Sequence, residues 1–316
     1  MERMVIHKEN ATSGHEPRDD HYRGKTTVTY FRFISILVVI VSIYYKELLQ
    51  LCIDKSYEFA LTTWVFNSVY FETFLATFCY GVITAVYPWL IDKFRCLDKY
   101  KIHPSVRYEE VTVLEILKMG ILYMAPLMLL DTFLVKKYHG VDPSIWIDKR
   151  RTNIQTTRAL PVIPPSTIGI VFQLFASFIL YDALFFVIHL TLHKNIYLYK
   201  YVHRHHHDHE HVHCHVTNQL TITERITLIL SANFALKVFN SHPLTRAIFV
   251  PIFIGILVDN HTGYDLPFGM HRMLPFGLVG GSVKHFQHHM NGKRNYQPIF
   301  TYLDKLLEWY GTKKSL

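Results

Sequence analysis

The chain has 316 residues, of which 50% are hydrophobic, and it carries a formal net charge of +8. Its four cysteines have no paired spacing, which argues against a disulfide framework or a C-x-x-C motif. Its lysines and arginines flank apolar blocks and form no long basic tract, so the charge favours a membrane surface over a nucleic acid as the partner.

The first 32 residues are predicted to be a polar N-terminal tail. Residues 1–26 mix both signs of charge, and they lack the short basic stretch and apolar segment of a secretory signal. An N-terminal transmembrane region is predicted to follow over residues 33–166.

Long apolar stretches predict several membrane-spanning helices, because a helix needs about 20 apolar residues to cross a bilayer core. Four such stretches lie at 33–53, 70–91, 114–135 and 167–188. Lys46 and Glu47 interrupt the first. Residues 226–257 form an apolar pair broken at 240–243, which predicts a spanning or re-entrant helical hairpin. The predicted fold class is an all-α, multi-pass membrane helical bundle.

Histidines are concentrated in the second half of the chain, where 16 of the 21 lie between residues 189 and 289. One H-x-x-H-H box occupies 203–207, and a second with the same offsets occupies 285–289. His189 and His193 precede both as H-x-x-x-H, at the end of an apolar stretch. Histidines at these offsets share one helix face, and imidazole is a ligand of iron, zinc, copper and nickel.

The number of boxed histidines predicts two metal ions. A zinc site takes four ligands, or three and a water when it is catalytic, so eight histidines overfill a single site. The predicted hairpin makes an even number of crossings before the last box, which places all three boxes on one side of the membrane. The alternative is that these are surface or core histidines that bind no metal, but it does not account for the repeated offsets.

Carboxylates are candidate partners for the outer nitrogens of these histidines, since metal-bound histidine donates its second N–H to a carboxylate or carbonyl. The candidates are Asp182, Asp259, Asp265 and Asp304. Asp182 lies two helical turns before His189 and on the same face. An ionisable residue in an apolar segment indicates a role, the alternative being a helix-end residue that faces water.

A further histidine run beside the first H-x-x-H-H box is expected to lie outside the metal site. His205, His209, His211, His213 and His215 belong to it. Alternating histidines fit an exposed extended loop, so we predict a solvated segment.

The order and spacing of the boxes after an apolar helix resemble the fatty acid hydroxylase superfamily of membrane di-iron enzymes, which includes sterol desaturases and 4-methylsterol oxidases. The run HPLTRAIFV at 242–250, its continuation DNHTGYDLPFGMH at 259–271 and YKIHP at 100–104 are similar to sterol hydroxylases of this group. The resemblance implies a catalytic domain over residues 167–312, with a histidine-rich di-metal site on the cytosolic face.

The resemblance implies nine metal ligands: His189, His193, His203, His206, His207, His261, His285, His288 and His289. His261 enters this set through the family's H-[ST]-G-Y motif. Fatty acid 2-hydroxylases carry another histidine four residues later, where this chain has Asp265. Asp265 is therefore expected to bond to iron or to a ligand, and Asp182 to a ligand. No catalytic residue beyond these is predicted.

The resemblance also implies the chemistry and the partners. Two iron ions would activate dioxygen, and an unactivated C–H bond of a lipid, with a sterol favoured, would be hydroxylated. Two electrons are expected from NADPH or NADH through a separate reductase or cytochrome b-type carrier. That carrier implies a site facing the cytosol, in the endoplasmic reticulum membrane. The tail at 313–316, Lys-Lys-Ser-Leu, resembles a dilysine retrieval signal of that compartment.

Other functions remain open at the level of sequence. A sterol desaturase, a 4-methylsterol oxidase or a fatty acid hydroxylase would use the same scaffold. A non-catalytic sterol or metal binder would have decayed boxes, and a zinc hydrolase would need a motif such as H-E-x-x-H, which the chain lacks. Phe268, Phe276 and Trp309 follow the motifs closely and are candidates for a sterol pocket.

Overall fold

The computed structural model describes residues 24–104, 106, 111–133, 136–145, 158–209 and 212–314. Within these ranges the backbone is helical and contains two isolated β-bridges but no strand. The predicted all-α class is therefore confirmed. The predicted polar tail up to residue 23 and the last two residues of the dilysine-like tail lie outside the described residues.

Nine helices of more than ten residues form the described part of the fold. They are α1 (Lys25–Tyr44), α2 (Lys46–Thr62), α3 (Phe71–Lys93), α4 (Val113–Phe133), α5 (Thr167–Lys194), α6 (Ile222–Val238), α7 (Pro243–Asn260), α8 (Gly281–Asn291) and α9 (Tyr302–Lys314). Shorter helical turns lie at Trp64–Asn67, Arg95–Tyr100, Ile196–Leu198, Tyr199–His203, Arg204–His207, Cys214–Asn218 and Met270–Met273.

Five of the described helices have the length and composition to cross a membrane: α1, α3, residues 114–133 of α4, α5 and α7. The predicted stretches at 70–91 and 167–188 and the described part of 114–135 are thus confirmed as helical. The stretch at 33–53 is not one helix. The backbone turns at Tyr45, next to the polar pair Lys46 and Glu47, and separates α1 from α2. The first candidate span is α1, which begins at Lys25 and so lies partly inside the predicted tail.

The predicted hairpin consists of α6 and α7, which are separated at residues 239–242. Thr221 caps the start of α6, where its hydroxyl accepts from the backbone N–H of Glu224 at 3.3 Å. Pro243 takes the first position of α7, where its missing N–H leaves no bond unmade. Local sequence therefore sets both helix starts.

The helices run in a defined direction relative to one another. Arg246 at the start of α7 bonds to Glu72 at the start of α3, and Tyr87 near the end of α3 bonds to Asp259 near the end of α7. These two helices are parallel. Arg246 also bonds to Asn233 near the end of α6, so α6 is antiparallel to them. We call the end that holds Glu72 the distal end and the opposite end the histidine end.

Aromatic packing holds α5 against α6 and α7. Phe178 and Phe249 stack with ring centroids 4.5 Å apart, and Phe253 continues the stack at 5.2 Å from Phe249. Tyr181 is fully buried beside them. Apolar burial alone gives little association between helices that face lipid, so close packing of this kind contributes most of it.

Candidate metal centre

All nine histidines that the sequence predicts as ligands meet at the histidine end, in two groups. The five-histidine group is His189, His193, His203, His207 and His288, and the four-histidine group is His206, His261, His285 and His289. Within each group the ligand nitrogens all lie within 4.8 Å of one another. Eight of the nine side chains are buried, and His193 is half-buried.

Each H-x-x-H-H box divides between the two groups. His285 and His289 on α8 join the four-histidine group, whereas His288 joins the five-histidine group. An α-helix turns by about 100° per residue, so position i+4 lies about 40° from position i while i+3 lies about 60° away on the other side. The box therefore presents a pair of histidines in one direction and a single histidine in another.

The first H-x-x-H-H box divides in the opposite sense. His203 and His207 join the five-histidine group, and His206 joins the four-histidine group. His189 and His193, also spaced by four residues, add a second pair to the five-histidine group from the end of α5. His261, directly after α7, completes the other group. Each box thus contributes two histidines to one group and one histidine to the other group.

The distances between ring nitrogens match those of ligands on a shared ion. The Nε2 atom of His203 lies 3.0 Å from Nε2 of His189, 2.9 Å from that of His193 and 3.0 Å from that of His207. The Nε2 atom of His285 lies 2.9 Å from that of His261. Two nitrogens bound at about 2.1 Å to one ion and at right angles are about 3.0 Å apart.

A buried ring nitrogen that lacks a hydrogen-bond partner also indicates a metal site. The Nε2 atom of His288 is buried among the five-histidine group and has no hydrogen-bond partner in the described structure. A buried ring nitrogen left in this state costs about 1–3 kcal/mol unless something else satisfies it. A metal ion bound by the same nitrogens removes that cost, so the residues present fit a metal centre.

The outer nitrogens are held by backbone carbonyls and one carboxylate. The Nδ1 atoms of His189, His288 and His261 bond to the carbonyl oxygens of residues 296, 294 and 257 at 2.8, 2.8 and 2.7 Å. His203 bonds through Nδ1 to a carboxylate oxygen of Glu224 at 2.7 Å. Such bonds fix the ring orientation and direct Nε2 towards the metal.

Burial keeps these rings neutral, which is the form that binds metal. It lowers the pKa of His261 to about 3 and that of His288 to about 4. Burial lowers the pKa values of His206, His285 and His289 well below the ordinary value, with neighbouring histidines adding to the effect. At neutral pH these five side chains therefore offer lone pairs.

The two groups are close enough for two neighbouring ions. The ring centroids of His207 and His289, one from each group, are 4.6 Å apart. His203 and His206, also from different groups, are 5.5 Å apart. Catalytic two-metal sites hold their ions about 3.5–4 Å apart, and rings in direct contact across the two groups are compatible with ions that are neighbours.

Two glycines at the ends of α8 allow this approach. Gly292 ends the helix with φ 69°, a conformation that favours glycine. Gly281 has φ 57°, and a Cβ atom there would lie 2.3 Å from a ring nitrogen of His271. The backbone thereby places the second H-x-x-H-H box against α7 without a clash.

Asp182 acts at a greater distance from the metal site than the sequence predicts. Its carboxylate accepts bonds from the side chain of Gln297 and from the backbone N–H groups of Ile299 and Phe300. It makes no described bond to a histidine, because two helical turns separate it by about 10 Å along α5 from His189. Asp182 instead fixes the segment that follows the carbonyl partner of His189.

The other predicted carboxylates also contact neighbours of the site. Asp304 accepts from the backbone N–H groups of Tyr296 and Gln297 and so supports the same segment as Asp182. Asp265 accepts from His271 and Arg272 and belongs to neither histidine group. Burial opposes its ionisation, but these hydrogen bonds hold the pKa of Asp265 below its ordinary value.

Sequence reasoning missed Glu224 and misplaced part of the histidine run. The run is not a uniformly exposed loop, because His215 is buried within the helical turn at Cys214–Asn218. His209 reaches the site, where its Nε2 lies 3.0 Å from Nδ1 of His289. His205 is exposed as predicted, and residue 211 lies outside the described part of the chain. For Glu224, the available signal was an acid at the start of an apolar helix.

The aromatic residues proposed for a sterol pocket occupy different positions. Phe268 lines an apolar groove between α3 and α7 and contacts Phe31 of α1. Phe276 is 87% exposed, and Trp309 is about half exposed at 49%. Only Phe268 of the three therefore lines a described depression that holds apolar side chains.

Comparison with known proteins places this histidine arrangement in a family. Residues 174–308 match the fatty acid hydroxylase family. A cholesterol 25-hydroxylase of Mus musculus is 30% identical over 240 residues, which cover 75% of this chain and 72% of that protein. One of Homo sapiens is 27% identical over 259 residues, covering 80% of this chain and 86% of that protein.

A cholesterol 25-hydroxylase-like protein of Danio rerio is 37% identical over 142 residues, which cover 45% of this chain and 57% of that protein. No solved structure matches the chain. The chain belongs to the fatty acid hydroxylase family, and the resemblance to sterol hydroxylases that its motifs predict is confirmed. Membership makes it an oxidoreductase of the lipid-hydroxylating type.

Proposed function

We propose that this protein is a membrane di-iron monooxygenase that hydroxylates an unactivated C–H bond of a lipid, with a sterol as the favoured substrate. The observation that carries the proposal is the division of nine converging histidines into groups of five and four at the end of membrane-spanning helices. The relatives named cholesterol 25-hydroxylase support a sterol.

Iron accounts for the ligand set better than zinc does. Imidazole binds iron, zinc, copper and nickel, but a zinc site takes four ligands, and one group here has five histidines. When bound, two iron ions supply the activation of dioxygen and the oxidising power that breaks the C–H bond. One oxygen atom enters that bond and the other leaves as water, with two electrons and two protons consumed.

The side chains of the protein hold and shield this centre. The carboxylate of Glu224 fixes the ring of His203, and the hydroxyl oxygen of Thr217 lies 3.2 Å from Nδ1 of His261, beside the carbonyl oxygen that accepts from that nitrogen. Burial of both histidine groups excludes bulk water from the reacting atoms and confines oxidation to a bound substrate.

Electrons are proposed to come from NADPH or NADH through a separate reductase or cytochrome b-type carrier. Exposed cations surround the histidine end: Lys194, Lys200, Arg204 and Lys293. A positive surface of this kind favours a carrier with an acidic face. The proposed location is the endoplasmic reticulum membrane, with the histidine end facing the cytosol.

Substitution of single histidines tests the function. Replacing His206 or His288 by Ala should abolish formation of the hydroxylated lipid and reduce the iron bound per chain. His205→Ala is the matched control, because His205 lies next to His206 but is exposed and belongs to neither group. Membranes that contain each variant are supplied with cholesterol or a fatty acid, and products are identified by mass spectrometry.

The product separates the related reactions. An alcohol supports the hydroxylase, whereas a new double bond or an oxidised methyl group would identify a desaturase or a methylsterol oxidase on the same scaffold. Hydroxylation that persists in His206→Ala and His288→Ala would overturn the proposed ligand set. Purified protein that carries zinc alone after growth in iron-rich medium would contradict the oxygenase.

A further inference from the structure

A cavity of about 630 Å³ lies between α3, α4, α6 and α7, away from the histidine groups. Its size falls in the range of sites for small organic ligands, about 300–1,000 Å³. The middle of its wall is apolar and includes Leu127, Leu236, Phe249, Val250 and Phe253. Nothing in the account of the metal centre uses this space.

The outer end of the cavity is polar and lies at the distal end of the bundle. Glu72 accepts from Arg246 at 2.8 Å and from Lys136 at 3.0 Å, and Lys136 also pairs with Asp131 at 2.6 Å. Asn233 completes this ring. The carboxylates and Arg246 are buried, so these charges form a built feature of the wall and do not belong to the exposed surface.

Positive charge exceeds negative charge in this distal cluster. Among the described residues, Lys136, Arg158 and Arg246 face the two carboxylates Glu72 and Asp131. The excess favours a hydrogen-bond acceptor or an anion at this end of the cavity. The end of a spanning helix also lies at the depth where the polar head of an amphipathic lipid resides.

The cavity extends from this cluster towards the histidines. On α7 its wall runs from Arg246 to Ile254, which is about 12 Å at 1.5 Å per residue. His261 lies seven residues beyond Ile254, about 10 Å further along the same axis. The distance from the charged outer end to the metal ligands is therefore about 22 Å along α7, comparable to the length of an extended lipid.

Further polar side chains lie behind Tyr123, beside the inner end of the cavity. Tyr123 lines the cavity and stacks on Tyr80 with ring centroids 4.9 Å apart, and the guanidinium of Arg225 lies 6.0 Å from the Tyr123 ring centroid. Two guanidinium nitrogens of Arg225 are buried without a hydrogen-bond partner, whereas the Tyr80 hydroxyl has the side chain of Asn218 as its partner.

Buried polar groups of this kind normally bond to ordered water or to a ligand. Arg225 contacts Tyr123 of the cavity wall and directly follows Glu224, the residue that holds His203, so its unpartnered nitrogens lie on the helix that borders both the cavity and the metal centre. A route that contains water or a ligand between the two would satisfy them. The stacked ring of Tyr123 lines the cavity beside Arg225.

We propose that this cavity is the substrate chamber of the enzyme. It takes a lipid with one oxygen-bearing head group and a long apolar body. The head group lies at Lys136, Arg246 and Asn233, and the apolar end passes Tyr123 towards the histidine groups. The inference rests on the proposed hydroxylase function. It adds that oxidation occurs on a carbon about 20 Å from the head group, at the opposite end of the substrate.

A second depression offers a competing site. An open groove of about 480 Å³ on the outer side of α3 and α7 is lined by Val86, Ile252 and Phe268, among others. It lacks the charged ring of the cavity and presents three polar residues, Tyr87, Asp259 and Asn260, near the histidine end, the first two bonded to each other. A substrate held there with its head group on Asp259 would be oxidised close to that head group.

Tryptophan substitutions separate the two sites. Val250→Trp fills the cavity, and Ile252→Trp, two residues away on the same helix, fills the groove. Leu129→Trp on α4 is the control, because Leu129 is 61% exposed and lines neither site. We expect Val250→Trp to lower kcat/KM for the hydroxylated lipid by about a hundredfold through misplacement of the substrate. The other two variants should stay within about threefold of the parent.

Photolabelling of the unmodified protein supplies the second measurement and does not depend on a variant's folding. A sterol and a fatty acid, each with a diazirine either near the head group or near the far end, are cross-linked in membranes and the labelled peptides identified. Head-group probes should label residues 130–138 and 230–246, and far-end probes should label 76–83 or 218–229. Whichever lipid labels in this pattern is the substrate class.

Three results would overturn the chamber: head-group labels at residues 80 or 225, labels confined to 252 and 268, or full activity in Val250→Trp. Iron content is measured in every preparation. Hydroxylation that continues with labels in the groove refutes the chamber and leaves the function intact. Iron-loaded protein that hydroxylates no lipid, whatever its labelling pattern, refutes the proposed function itself.

Discussion

The two ends of the bundle bury polar side chains in opposite ways. At the distal end, Glu72 is surrounded by Arg246, Arg158 and Lys136, and both of its oxygens are bonded. At the histidine end, neutral rings converge on one another, and the inner nitrogen of His288 is left without a bond. Glu72 therefore finds its partners within the protein, whereas the histidine groups require a metal to complete their bonds.

This contrast separates stability that comes from ion pairs within the protein from stability that comes from a bound metal. A buried ion pair is costly to break because the remaining charge has no partner. A converging set of imidazoles contributes little to the fold until a cation binds, and then the binding free energy adds to the stability of the fold. Substitutions of Glu72 or its partners should therefore lower stability without changing metal content, and substitutions at the histidine end should lower metal content.

The largest effect on stability is expected for Arg246→Ala. It leaves Glu72 buried without its two shortest bonds, which should lower the free energy of unfolding by about 3–5 kcal/mol. Arg246→Lys, which retains the charge, should lose less. Thermal unfolding in detergent measures both variants. An unchanged midpoint in Arg246→Ala would contradict the claim that the bonds to Glu72 stabilise the fold.

Glu224→Ala should weaken metal binding by about 10- to 100-fold, because the outer bond of His203 is lost. Glu224→Gln, which can still accept a bond from Nδ1, should retain more of the affinity. Iron titration of the metal-free protein gives both values. Equal affinity in Glu224→Ala and the parent would show that this carboxylate has a structural role alone.

The histidine end should make the stability of the metal-free protein sensitive to acid. The histidine pKa values are lowered in the fold, so below about pH 6.5 the unfolded chain binds more protons than the folded one. The metal-free protein should therefore lose stability progressively as the pH falls below about 6.5, and bound metal should delay this loss. Unfolding midpoints over that pH range, with and without iron, test the effect. A flat profile for the metal-free form would contradict the burial of neutral rings.

The smallest effect is expected for His209→Ala. His209 bonds to the outer nitrogen of His289 from a loop. Its removal should weaken metal retention by about tenfold or less, and His205→Ala should have no effect. A loss of metal affinity as large as that in Glu224→Ala would show that His209 is one of the main supports of the site.

Much of the metal site could be predicted from sequence because it depends on local periodicity. The offsets of three and four residues place histidines on helix faces whatever the rest of the fold does. The supports of those histidines could not be predicted in the same way. Glu224 and the carbonyls of residues 294 and 296 reach their rings only after distant helices pack together.

The misplaced features have similar causes. Two turns of helix put Asp182 on the same face as His189, but the rise along the axis carries it to the segment at 297–300. Alternating histidines predict exposure from composition, yet His215 is buried by its neighbours. Lys46 and Glu47 marked a polar interruption in the apolar stretch. Only the observed backbone shows that the chain turns at Tyr45 and forms two helices there.

The most direct test of the account is the number of metal ions bound when one group is removed and the other is left whole. His285→Ala combined with His289→Ala removes half of the four-histidine group and no member of the five-histidine group. His203→Ala combined with His207→Ala does the converse. With iron measured by mass spectrometry on folded protein, the parent should bind two ions per chain and each double variant one. Two ions retained, or both lost, in either double variant would contradict the division of the boxes between two metals.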